Sequence, residues 1–87
     1  MQSYPFSRFC RSAGPVLDGL KIDSVVTLTR HDRAIARVRG VRSSDLPAWS
    51  VTECKQARTL RRLLLDGGAV AVSRDGLVEA VIEGVTS

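Results

Sequence analysis

VVTLTRHDRAIARVRGV (25–41) and AVAVSRDGLVEAVIEGV (69–85) are two versions of one pattern. Sliding the chain 44 places along itself, without a gap, lays residues 10–41 on residues 54–85. Eight pairs are then identical: Cys10/Cys54, Ala13/Ala57, Leu20/Leu64, Val26/Val70, Arg30/Arg74, Ala36/Ala80, Gly40/Gly84 and Val41/Val85. Val16/Leu60, Leu28/Val72, Thr29/Ser73 and Val38/Ile82 are conservative. In both segments apolar residues recur at every second position on either side of a two-residue turn, the period of a half-buried strand. Asp75-Gly76 favours the primed turns that match strand twist, and His31-Asp32 takes the same place in the first segment. A hairpin is expected over 25–30 and 33–39, with Val26, Leu28, Ala34, Ala36 and Val38 inward. The second hairpin should turn Val70, Val72, Val78, Ala80 and Ile82 to one face. Arg33, Arg37 and Arg39 occupy the outer positions that Leu77, Val81 and Glu83 hold in the second copy, so hairpins of opposed charge are expected to meet each other and not their own kind.

Upstream of the second hairpin, residues 49–52 (WSVT) read as a short strand. Residues 53–65 (ECKQARTLRRLLL) have helical spacing, with Cys54, Ala57, Leu60, Leu63 and Leu64 on one face. Thr52 or Ser50 can cap that helix, because a hydroxyl accepts from the free amides of a first turn. Lys55, Arg58 and Arg62 fall on another face, with Arg61 beside them. Asp66-Gly67-Gly68 ends the helix. The first copy of the helix is damaged: Gly14-Pro15 lies where Arg58-Thr59 lies in the second. Proline in a helix interior costs about 3 kcal/mol, so the helix should break there or begin again with Pro15 at its first position.

The expected fold is thus α+β, two tandem strand-helix-hairpin units packed as an intrachain pseudo-dimer. The first unit is residues 1–41, the linker 42–48 (RSSDLPA), and the second unit 49–87. Units of roughly 40 residues bury too little surface to stand alone, so the two should form one compact domain of 87 residues. No apolar run approaches the ~18 residues of a spanning helix, and the N-terminus lacks the apolar core of a signal peptide. A soluble, cytoplasmic protein with no membrane contact is expected, its two cysteines free thiols. Residues 1–44 carry eight basic and three acidic side chains, a balance of +5. Residues 45–87 carry five and six, a balance of −1, and together these make the net charge of +4. An arginine-rich excess suits phosphate, whose oxygens match the guanidinium fork; a solvated arginine-rich surface is the plain alternative.

The second unit, SVTECKQARTLRRLLLDGGAVAVSRDGLVEAVIEGV, resembles the N-terminal domain of Phd/YefM-type antitoxins. Ser50-Val51-Thr52-Glu53 matches that family's opening. Leu60, Leu63 and Leu64 match its helix, and Val70, Val72, Ser73, Arg74, Gly76, Ala80 and Ile82 match its hairpin. Residues 10–41 share the likeness more faintly, through the repeat. The resemblance implies a dimeric α+β domain that binds operator DNA as a transcriptional repressor of a toxin–antitoxin system. Here both copies lie in one chain, which implies a monomer with a pseudo-two-fold axis or a homodimer. The family's toxin-neutralising tail has no counterpart after the second hairpin, so a regulator without that tail is expected. The alternative is a protein-binding inhibitor or interaction module that reuses the fold, with a toxin or another host or phage protein as partner.

For DNA contact the candidates are Arg30, Arg33, Lys55, Arg58, Arg61, Arg62 and Arg74. Arg30 and Arg74 are the only charged residues kept in both copies, each at the end of a hairpin strand, where DNA contact competes with a salt bridge to the neighbouring unit. The helix stripe competes with a merely solvated face. His31, the lone histidine, lacks the partners a metal site needs. Cys10 and Cys54 sit among apolar residues and read as buried packing groups at helix starts. The chain contains no nucleophile–base pair, no phosphate-binding glycine loop and no paired carboxylates with a histidine. No catalytic residue, metal ligand or cofactor is assigned, and an enzyme is not expected.

Overall fold

The computed structural model describes residues 2–85; the ends of the two expected units, at residue 1 and at 86–87, lie outside the described residues. The chain runs β1 (Gln2–Pro5), α1 (Phe6–Arg11), α2 (Ala13–Asp18), β2 (Val25–Arg30), β3 (Arg33–Gly40), β4 (Ala48–Ser50), a 3-10 turn (Glu53–Lys55), α3 (Ala57–Leu65), β5 (Ala69–Arg74) and β6 (Leu77–Gly84). It is an α+β domain. One mixed sheet holds six strands in the order β1-β2-β3-β6-β5-β4. The two outer pairs, β1 with β2 and β4 with β5, are parallel; the rest are antiparallel.

Both hairpins form over the expected residues, and their second strands meet at the centre of the sheet. Val38 faces Ile82; on either side Ala36 faces Gly84 and Gly40 faces Ala80. Arg37 lies opposite Glu83 and Arg39 opposite Val81, so the basic strand is paired with the acidic one, which avoids like charges across the ladder. The register breaks between Leu28 and Thr29 in the first hairpin and between Val72 and Ser73 in the second. One extra residue bulges from the partner strand in each case, Ile35 in β3 and Glu79 in β6. The bulges correct two expectations: Ala34 is exposed and Val78 is only half-buried and outside the core, because each inserted residue shifts its strand's alternation beyond it. The backbone oxygen of each bulged residue accepts from the other half, Ile35 from the Val85 amide and Glu79 from the Val41 amide.

The helical elements cover one face of the sheet. Phe6, Phe9, Cys10, Ala13, Val16 and Leu17 from α1 and α2, with Cys54, Leu60 and Leu64 from the later segment, bury against Val26, Leu28, Ala36, Val38, Val70, Val72, Ala80 and Ile82. Tyr4 of β1 and Trp49 of β4 pack on the rim of this core. No polar or charged residue is buried among the described residues. The packing leaves no room at two glycines. A Cβ on Gly40 would collide with the Lys21 carbonyl, and one on Gly84 with the Leu64 carbonyl.

Three helical expectations are revised. The helix expected over 53–65 is two elements, because Gln56 leaves helical geometry (φ −78°, ψ 69°). Ser50 and Glu53 close a reciprocal capping box around the 3-10 turn: Ser50 Oγ accepts from the Glu53 amide at 3.1 Å, and Glu53 Oε1 accepts from the Ser50 amide at 3.3 Å. The cap thus belongs to Ser50, and Thr52 makes no side-chain cap. In the first half the helix breaks at Ser12 (φ −144°, ψ 61°) and restarts at Ala13. Pro15 is therefore the third helical residue, still within the first turn, where a missing N–H breaks no intrahelical bond. The cysteines, finally, are not at helix starts: Cys10 is near the end of α1 and Cys54 is inside the 3-10 turn.

Candidate nucleic-acid interface

Each hairpin turn sits at one end of the molecule, beside a helix of the other half. The turns share a left-handed backbone: φ is 53° and 62° at His31 and Asp32, and 55° and 79° at Asp75 and Gly76. This geometry is the primed two-residue turn anticipated from Asp75-Gly76. It places Arg30 and Arg74, the last residues of β2 and β5, at opposite ends of the sheet.

At the first end, Arg30 and His31 share an open cleft of about 680 Å³ with Arg58 and Arg61 of α3. Pro5, Phe6 and Ser7, at the β1–α1 junction, form another wall. Asp32 is the one acidic residue lining it. Arg30, Arg58 and Arg61 form no ion pair among the described residues. Arg30 and Arg58 are exposed and Arg61 is half-buried. With three guanidinium groups against one carboxylate, the cleft is a net cationic recess that opens to solvent.

The second end is built differently. Arg74 Nη1 lies 2.7 Å from Asp18 Oδ1 of α2, and Arg74 Nη2 donates to Glu79 Oε1 at 3.0 Å. The hydrogen bond to Asp18, then that to Glu79, pushes the Arg74 pKa above its ordinary value. The bulge in β6 is what brings Glu79 to this position; in β3 the bulged residue is Ile35, which packs against the core. Glu79 Oε2 is buried without a hydrogen-bond partner.

Of the seven residues proposed from sequence, the fold brings Arg30, Arg58 and Arg61 together. Arg33 is exposed at the start of β3, opposite Arg30 across the turn. Arg62 is exposed on α3 but does not line the cleft. Lys55 is on the 3-10 turn and not on α3, so the single helical stripe of Lys55, Arg58 and Arg62 does not form. Arg74 is held by two carboxylates. Sequence reasoning passed over Arg8 and Arg11. They line a neighbouring recess with Tyr4, and the Arg8 guanidinium lies 5.2 Å from the Tyr4 ring centroid. The signal for these two was their spacing at i and i+3 on α1.

The cysteines are free and buried, the Cys10 pKa pushed up to about 11 by burial and that of Cys54 to about 12 by burial, then by Cys10 and Glu53. Thiols held protonated in this way are packing groups. Among the described residues no cluster of His, Cys, Asp and Glu could hold a metal ion. No helix among them is long and apolar enough to cross a membrane. No family model matches the chain, and no curated protein or solved structure matches it either.

Proposed function

We propose that this protein is a DNA-binding transcriptional regulator, a single-chain pseudo-dimer of two Phd/YefM-like units that contacts duplex DNA through the Arg30–Arg58–Arg61 cleft. The observation that carries the reading is the convergence of three unpaired arginines from two parts of the chain on one solvent-open recess. Phosphate contacts supply most of the sequence-independent affinity for DNA, and arginine forks suit them. The pseudo-dimer reading is supported by the register of β3 and β6. Every pair there maps onto another pair, or onto itself, when the halves are exchanged by the offset of 44. The bulges, the turns and the bonds to Val41 and Val85 obey the same exchange.

A titration of a duplex of about 20 base pairs, repeated across salt concentrations, tests this. The logarithm of affinity should fall linearly with the logarithm of salt, and R58A/R61A should flatten that slope by about one unit per lost phosphate contact. Absence of binding at low salt, or binding without salt dependence, would remove the DNA reading. An interaction module is the second reading, favoured by one apolar patch. Ile22 is 47% and Leu77 71% exposed, and they adjoin Leu20, Val41 and Val78 in a shallow groove. Capture of a protein partner that is lost on L77D would support it.

A further inference from the structure

Resting on that DNA reading, we infer that the two ends of the molecule are not equivalent: only the Arg30 end takes a DNA phosphate, and the Arg74 end is an internally neutralised copy of it. The chain then reads one half-site of a duplex, and its target need not be palindromic.

The inference comes from matching the ends residue by residue under the offset of 44. Arg30 corresponds to Arg74, and both turns have the same backbone. Around Arg30 the opposite half supplies Arg58 and Arg61. Around Arg74 the corresponding positions are Gly14 and Leu17, which carry no charge. The correspondence holds in space: a Cβ on Gly14 would lie 3.8 Å from Arg74 Nη1. The next position is Arg62 on α3 and Asp18 on α2, and Asp18 is bound to Arg74 at 2.7 Å. At the bulge, apolar Ile35 is replaced by Glu79, the second carboxylate on Arg74. His31 is replaced by Asp75. Five of these six differences act in one direction: Arg58 and Arg61 have no charged counterpart, Asp18 and Glu79 reach Arg74, and Asp75 stands in the turn; only Asp32, whose counterpart is Gly76, runs the other way. A phosphate approaching Arg74 would have to displace an intramolecular partner and face a net negative surround. At Arg30 it meets three cations and Asp32 alone against them.

A symmetric regulator spreads its salt dependence over two ends, since each half-site has its own phosphate contacts. Here R30A and R58A should each weaken binding to a 20-base-pair duplex about tenfold at moderate salt and lower the salt slope by about one unit. R74A should change affinity less than twofold and leave the slope unchanged. The isosteric pair D18N/E79Q keeps Arg74 but releases it, and should raise the slope by about one unit; this variant still decides the matter if R74A folds poorly. An R74A variant that stays folded yet loses slope as R30A does would overturn the one-ended proposal while leaving DNA binding intact. So would a D18N/E79Q protein whose slope equals that of the unaltered chain. Failure of the unaltered chain to bind at all would instead overturn the DNA reading itself, and this proposal with it.

Discussion

Residues 2–41 and 47–85 build the same arrangement of a short strand, helical segment and hairpin, yet they differ in which positions are free to differ. On the core-facing positions of the central strand pair, the two halves agree. Gly40 and Gly84, Ala36 and Ala80, Val38 and Ile82 lie along the central strand pair, and all are identical or conservative. On the outer face of that strand pair, on the helices and at the bulge they disagree: Arg37 against Val81, Arg39 against Glu83, Arg62 against Asp18, Ile35 against Glu79. Interior positions are constrained by close packing, which responds to a single methylene. Surface positions are constrained only by what they contact. The difference teaches that close packing holds the core-facing positions alike, while the outer positions are what distinguish the ends.

The largest effect should come from the positions where the halves agree most. Alanine at Gly40 or Gly84 places a Cβ against a backbone carbonyl, which cannot rotate away as a side chain could. Overpacking a well-filled site costs typically 1–3 kcal/mol, and backbone contact puts these two at about 3 kcal/mol. G40A and G84A should lower the urea midpoint by similar amounts. A large loss at one and none at the other would break the equivalence of the halves.

The hairpins, both turns and the pairing of the basic strand with the acidic one were legible in the sequence, because strand alternation and turn chemistry are local signals. The interruption at Gln56 was not. The run from Cys54 to Leu64 keeps helical spacing across the break, so periodicity could not reveal that Ser50 and Glu53 cap a short 3-10 turn instead of a long helix. Nor could alternation show the bulge that carries Ala34 outward. The cleft was legible only in parts. Arg30 and Arg58 are far apart along the chain, and what unites them is the meeting of β3 with β6, which carries each hairpin turn to the opposite half's helix. That Arg74 is occupied depended on Glu79 at a bulge, where strand periodicity gives no guide to direction.

The next effect concerns the buried thiols, and here the halves should again behave alike. In the folded protein Cys10 and Cys54 hold their protons to about pH 11 and about pH 12; in the unfolded chain a thiol ionises near pH 8.5. Between these limits the unfolded state binds fewer protons than the folded one, so stability falls as pH rises. Below about pH 8 both states are protonated and neither thiol contributes a slope. Urea melts at pH 7.5 and 10 should show a lower midpoint at the higher value, and C10A/C54A should lose part of that decline. All other side chains are the same in the two proteins, so the comparison isolates the thiols. A decline of the same size in the double variant would show that the thiols are not the source.

The smallest effect falls on the two turns, where the halves should respond in opposite directions. Both turns require a left-handed backbone at their second residue, φ 62° at Asp32 and φ 79° at Gly76. Glycine adopts that region freely, whereas an L-residue with a Cβ is opposed by roughly 1–2 kcal/mol, less for aspartate, whose side chain can bond locally. The second hairpin already has the favoured residue, so G76A should destabilise by about 1 kcal/mol; no atom lies near enough to add a clash. The first hairpin has the disfavoured one, so D32G should stabilise, by up to about 1 kcal/mol, since glycine's greater freedom in the unfolded chain offsets part of the gain. D32G also removes the one carboxylate lining the cleft beside Arg30, Arg58 and Arg61. The same substitution should therefore raise the melting midpoint and tighten DNA at low salt. D32N separates these effects, because it removes the charge while keeping a side chain at the left-handed position. Tighter DNA binding in D32N at a near-unchanged midpoint would assign the binding gain to charge. Tighter binding in D32G alone would assign it to the turn's backbone, and the cleft's electrostatics would then not be what DNA senses there.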